Sequence, residues 1–132
     1  MNRINATVTA IQSVDNLSVV AFEAGNQALR MMALGLNPPI EVGARVTLGA
    51  KATNVALAKN LSGTLSMSNQ LGCVVECLDK GELLCVVKLR FNDSILQSVV
   101  TLASALSMNL EVGDEVVALI KASELSILET ES

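Results

Sequence analysis

The chain has 132 residues, of which 51% are hydrophobic, and a formal net charge of −4. This length suits one ordinary domain or two small ones. Aromatic residues make up 2% of the chain, so it lacks both the basic surface and the stacking side chains that nucleic-acid binding requires. We see no apolar run of about 18 residues and no secretory leader, so we expect a cytoplasmic protein without a membrane or nucleic-acid partner.

The predicted elements are short strands rich in β-branched residues. In chain order they are ATVTAIQ, SVVAFEA, GCVVECL, LLCVVKLRF, SVVTLAS, EVVALIKA and LSILE. Turn sequences such as VDN, AGNQ, DKGE and FNDS separate them. Two segments, QALRMMALGL and TLASALSM, have the composition of a short helical turn. About five strands and one helical turn in each half of the chain describe a small β-barrel, so the predicted fold class is all-β.

The two halves of the chain are related by an internal repeat. EVGARVTLGAKATNV at 41–55 aligns with EVGDEVVALIKASEL at 111–125, and LSVVAF at 17–22 aligns with LCVVKL at 84–89. The polar segment KNLSGTLSMSNQ joins the copies. We therefore predict two domains, at residues 1–60 and 61–132.

The chain has three cysteines and no histidine that could complete a metal site with them. Cys73, Cys77 and Cys85 lie in strand-like sequence, where a free cysteine behaves as a small hydrophobic residue. We expect no metal site.

Each copy carries a lysine that ends an apolar run and precedes two small residues. The two motifs are Lys51-Ala52-Thr53 and Lys121-Ala122-Ser123. An ammonium group, main-chain N–H groups and a hydroxyl are suitable donors for a tetrahedral dianion. The alternative is a strand-end lysine beside a solvated turn. Repetition of the motif in both copies favours the anion-binding interpretation.

Several segments of the second copy together resemble the Mop domain of the molbindins. They are SMSNQLGCVV, VVTLAS and LEVGDEVVALIKASEL, and the last of these is the most specific. Residues 66–128 match well, and residues 2–58 keep VGARV and KAT, so the chain is similar to a tandem di-Mop protein. The resemblance implies two tandem OB-like five-stranded β-barrels, each with a short helical turn, and no enzymatic activity.

The resemblance also implies a function. Molybdate or tungstate would be the bound ligand, without an organic cofactor, at interfaces between Mop domains, and the protein would store or buffer this oxyanion in the cytoplasm. It implies a homo-oligomer, with a trimer favoured and a dimer possible. The alternatives are an oxyanion-sensing domain of a molybdate-responsive regulator and a β-barrel interaction module that has lost binding.

The implied oxyanion-binding residues come from both copies. Ser68 stands where the family has Arg, and the hydroxyls of the VTLAS segment have helix capping as an alternative role. The first copy has no Thr or Ser in the equivalent segment, where Asn37 is the substitute, so we expect unequal sites. The full set is Lys51, Ala52, Thr53, Ser66, Ser68, Asn69, Thr101, Ser104, Lys121, Ala122 and Ser123.

Overall fold

The computed structural model describes residues 1–36 and 39–131 of the chain. The first half contains β1 (Asn2–Val14), β2 (Leu17–Ala24), β3 (Gln27–Leu34), β4 (Arg45–Ala50), a 3-10 turn (Ala52–Asn54) and β5 (Ala56–Ala58). The second half contains β6 (Asn69–Lys80), β7 (Leu84–Phe91), β8 (Ser94–Thr101), α1 (Leu102–Ser107), β9 (Glu115–Ile120), a 3-10 turn (Ala122–Glu124) and β10 (Ser126–Thr130).

The strands form two five-stranded antiparallel sheets with the same internal order. The first sheet runs β10-β4-β1-β2-β3 and the second runs β5-β9-β6-β7-β8. Each sheet therefore takes four strands from one half of the chain and an edge strand from the other half. The prediction of an all-β fold with two five-stranded units is confirmed, whereas the domain division at residue 60 stays a prediction.

One long strand in each sheet bends so that it can pair along two directions. β1 pairs with β4 from Asn2 to Thr7 and with β2 beyond that point, and its register shifts between Val8 and Ala10. β6 does the same between β9 and β7, with a shift between Val75 and Cys77. Such a bulge bends and twists a strand, which lets a short sheet curl as in an OB-like barrel.

A single hydrophobic core runs through both halves. Phe22 and Phe91, both 1% exposed, are its largest members, and aliphatic side chains fill the rest. Alternation along β1 and β6 produces this core, because every second residue at the start of each strand is buried. The core is thus aliphatic, as a chain with so few aromatic residues requires.

The cysteines differ in their surroundings. Cys73 and Cys85 are buried and Cys77 is exposed. Burial raises the pKa of the Cys73 thiol to about 11, and burial also raises the pKa of Cys85. The interpretation as small buried hydrophobic residues therefore holds for two of the three.

One of the two predicted helical segments is a strand. QALRMMALGL forms β3 over Gln27–Leu34 and pairs with β2 along its whole length. The reason is a two-residue hairpin turn at Gly25, whose φ of 60° sets β3 directly against β2. Leu29 and Met31 then face the core at 1% and 2% exposure. Strand pairing and burial outweigh helix propensity here. TLASALSM does form a helix, α1.

Across residues 1–36 and 39–131, the structure has no helix with the length and apolar character needed to cross a membrane.

Candidate functional site

The two lysine motifs adopt the same conformation at equivalent places in the fold. β4 ends at Ala50, and Lys51 leads into the first 3-10 turn; β9 ends at Ile120, and Lys121 leads into the second. The backbone dihedrals are φ −67° and ψ 139° at Lys51 and φ −66° and ψ 148° at Lys121. The sequence repeat is therefore also a repeat of local structure.

The turns leave main-chain donors at their starts. The first donor bonded inside each turn is the N–H of Asn54 or of Glu124, which donates to the carbonyl oxygen of the motif lysine at 2.9 Å. The two N–H groups that precede it in each turn have no acceptor within the turn itself. Thr53 and Ser123 are exposed beside them, as are both lysines. Each turn can thus offer N–H groups, a hydroxyl and an ammonium group to an anion.

The beginning of β6 lies beside the second motif. Asn69 pairs with Ile120 in the sheet, which places Ser68 next to Lys121 within the same half. In the first half, Asn2 pairs with Ala50, so Met1 lies next to Lys51 in the same way. Ser66 and Ser68 are both exposed. The structure therefore places Ser68 and Asn69 beside the lysine motif of the second half.

The side chain of Asn69 joins the two halves. It is 0% exposed, and its Oδ1 accepts from the N–H of Arg30 at 2.7 Å while its Nδ2 donates to the Arg30 carbonyl at 2.9 Å. Asn2 makes the same pair of bonds with the main chain of Gln97, at 2.7 and 2.8 Å. Both ends of the Asn69 side-chain amide are therefore engaged in holding β6 to β3. Asn2 and its clamping role were missed in the sequence.

A hydrogen bond joins the two 3-10 turns just after their lysine motifs. Nδ2 of Asn54 donates to Oε2 of Glu124 at 2.8 Å, joining the residue that follows one motif to the residue that follows the other. The first 3-10 turn packs on β8 and the second on β3, so each turn rests on the sheet of the opposite half. The two candidate sites are thus neighbours, and Glu124 directs its carboxylate to Asn54.

Thr101 and Ser104 form the N-cap of α1. The Thr101 hydroxyl accepts from the Ser104 N–H at 3.1 Å, and it lies 2.8 Å from the Ser104 hydroxyl. This is the capping role that the sequence left open beside ligand binding. Their part in binding stays a prediction. Asn37, the substitute in the first half, lies outside the described residues.

Lys59 anchors the connection between the halves, a role that sequence reasoning missed. Its ammonium donates to the carbonyl oxygens of Met108 and Asn109 at 3.3 and 2.8 Å, and to the carboxylate of Asp114 at 2.9 Å. The hydrogen bond from Lys59 lowers the pKa of Asp114. This lysine therefore serves the fold.

A small cavity adjoins the first motif. It has a volume of about 260 Å³, and its lining residues are Met1, Asn2, Arg3, Ala52, Ile95 and Gln97. A larger cavity, of about 760 Å³, has three glutamates (Glu23, Glu129 and Glu131) and one arginine (Arg45) among its lining residues, so its acidic lining is less suitable for an anion. In the part of the chain that the structure describes, no group of three or more His, Cys, Asp or Glu residues is placed to hold a metal ion.

Comparison with known proteins places these features in a class. The family model of the TOBE domain matches residues 65–127. The fold of nearly the whole chain matches the structure of the cytoplasmic molybdate-binding protein ModG, in a crystal form with molybdate bound. The TM-score is 0.90 at 25% identity, covering 96% of this chain and 94% of that chain. A cooperative binding mechanism has been suggested for that protein.

The structure of a molybdate-binding protein from Sporomusa ovata also matches, with 28% identity and a TM-score of 0.49. The match covers 51% of this chain and 100% of that chain. No match was found among curated protein sequences.

The fold of the chain is a tandem of two five-stranded β units, and its second half carries the match to the TOBE domain. Its structure is that of a ModG-like protein with two Mop-type units, and residues 65–127 are the TOBE domain. The resemblance predicted from the sequence is therefore confirmed. ModG is described as a binding protein, in agreement with the prediction that this chain is not an enzyme.

Proposed function

We propose that this protein binds molybdate or tungstate as the free oxyanion at sites built on Lys51-Ala52-Thr53 and Lys121-Ala122-Ser123. The observation that carries the proposal is the near-identical geometry of the two turns. It occurs in a chain whose whole fold matches that of ModG with molybdate bound. A solvated lysine at the end of a strand does not need this arrangement of donors. Its presence in both halves therefore favours anion binding.

The chemistry of each turn fits a tetrahedral dianion. Main-chain N–H groups and a hydroxyl approach from one side, and the lysine ammonium supplies charge. Ala52 and Ala122 are small enough for an oxygen atom to come close to the main chain. The carboxylate of Glu124 accepts a hydrogen bond from Asn54, which keeps this negative group engaged away from the ligand. In the second site Ser66, Ser68 and the start of β6 add further donors.

The proposed role is storage or buffering of the oxyanion in the cytoplasm by a homo-oligomer, with a trimer favoured over a dimer. Thr101 and Ser104 would then act across an interface between Mop units, since within the chain they cap α1. The runner-up is the sensing part of a molybdate-responsive regulator, which would use the same binding chemistry. The oligomeric mass in solution distinguishes them, since a trimer supports storage and a dimer supports sensing.

Calorimetric titration of the purified full chain tests the proposal. We expect heat of binding with molybdate and tungstate, and little with sulfate, which is smaller. Lys51→Ala and Lys121→Ala should each weaken binding by about tenfold or more, because each removes a charge-assisted hydrogen bond. The two losses should be unequal, since the sites differ in their other donors.

Lys80→Ala is the matched control, because Lys80 is an exposed lysine at the end of β6. Its binding should equal that of the unmodified chain. Binding of neither metal oxyanion to the unmodified chain would refute the proposal. Equal losses in all three lysine variants would show that the motifs are not the sites.

A further inference from the structure

We propose that Arg3 is a second cation of the first-half site, and that Glu129 competes with the oxyanion for it. This inference rests on the proposed oxyanion-binding function. It starts from the cavity of about 260 Å³ beside Ala52, whose lining includes the cationic side chain of Arg3. The side chain of Asn2, another polar residue of the lining, is engaged by the main chain of Gln97 through the amide clamp.

The sheet places Arg3 where it can reach both the cavity and Glu129. Arg3 lies opposite Gly49 of β4, and β4 separates β1 from β10. The arginine reaches across β4, and its guanidinium donates to the Glu129 carboxylate on β10. The two side chains are 54% and 65% exposed.

An ion pair this exposed is weak, because solvent screens it and both side chains lose conformational freedom. A dianion in the adjoining cavity offers the guanidinium a doubly charged partner with paired oxygen atoms, the geometry that arginine favours. The Arg3–Glu129 pair is therefore poised to exchange: the guanidinium leaves the carboxylate when the oxyanion arrives.

The second half has no counterpart to this pair. The position equivalent to Arg3 holds Gln70, whose side chain donates to the carbonyl of Met67 at 2.9 Å and so holds the preceding loop. The position equivalent to Glu129 holds Lys59, which anchors the loop at Asn109 and Asp114. The first-half site thus combines Lys51 with Arg3, whereas the second combines Lys121 with serine hydroxyls.

The test is calorimetric titration with molybdate in a Lys121→Ala background, in which the second-half site is weakened and the first-half site is left unchanged. Arg3→Gln, which installs the second-half residue, should weaken binding by about tenfold, because it removes a charged donor. Glu129→Gln should strengthen binding by about threefold, because it frees the guanidinium. A gain of affinity cannot result from damage to the fold.

Arg45→Gln is the matched control. Arg45 forms a similarly exposed ion pair with Glu131, at 3.3 Å, and lines the cavity of about 760 Å³ and not the one beside Ala52. Its affinity should not change. If Arg3→Gln and Glu129→Gln both behave like Arg45→Gln, this inference is wrong and the proposed function survives. If the unmodified chain binds no molybdate, both this inference and the proposed function are refuted.

Discussion

At the scale of single residues, two asparagines join the halves of the chain, a role that the sequence does not reveal. Lys51 and Lys121 could be singled out because an exposed cation after an apolar run, repeated with small neighbours, is unusual. Asn69 was singled out only as a possible ligand residue. Its burial and its two bonds to Arg30 depend on a strand distant in the chain, which no local pattern specifies. Arg3 was missed for the same reason, because its cavity forms between distant segments.

Replacing Asn69 by Ala should destabilise the protein by roughly 2–4 kcal/mol. The change removes two hydrogen bonds and leaves the main-chain N–H and carbonyl of Arg30 without these partners, while a cavity replaces the buried amide of Asn69. Unfolding in urea, followed by circular dichroism, measures the loss. Asn2→Ala should cost a similar amount because its clamp is equivalent.

Asn5→Ala is the control for these two variants. Asn5 is exposed and only accepts a bond of 3.2 Å from Thr47, so its loss should stay within about 0.5 kcal/mol. If Asn69→Ala were as stable as Asn5→Ala, the clamp would not contribute to joining the halves.

At the scale of elements, the strands followed from β-branched runs and turn residues, and α1 followed from its composition. β3 did not, because Leu, Met and Ala favour a helix locally and only its pairing with β2 decides otherwise. The pairing of β10 with β4 could not be predicted from the sequence either. It depends on Gly49, over which the side chain of Leu128 lies where β10 bulges.

Gly49→Ala should loosen β10 and cost about 1–3 kcal/mol by overpacking. A Cβ at this position would lie 2.6–2.8 Å from three carbon atoms of Leu128, so that side chain must move. A double-mutant cycle with Leu128→Ala gives the measurement. The double variant should be more stable than the sum of the single losses predicts, because the shortened side chain makes room for the added methyl group. Strictly additive losses would contradict this packing.

At the scale of the whole molecule, the two repeats do not form structurally independent units. The edge strands cross between the sheets, the asparagine clamps bridge them, and one core is continuous. The repeat predicted two similar units, but not the exchange. The edge strands β5 and β10 are both short, and each could pair at the corresponding edge of either sheet. The 3-10 turn before each strand leads it to the sheet of the other half. This crossing brings the two lysine motifs together at Asn54 and Glu124.

The central claim is that these two turns are where the oxyanion binds. Diffraction from crystals of the full chain grown with molybdate, recorded at the molybdenum absorption edge, tests it most directly. We predict anomalous peaks beside the main-chain N–H groups of Ala52 and Ala122, with Lys51 and Lys121 directed to them. Anomalous peaks only at other places on the molecule, or none in crystals grown at saturating molybdate, would contradict the account.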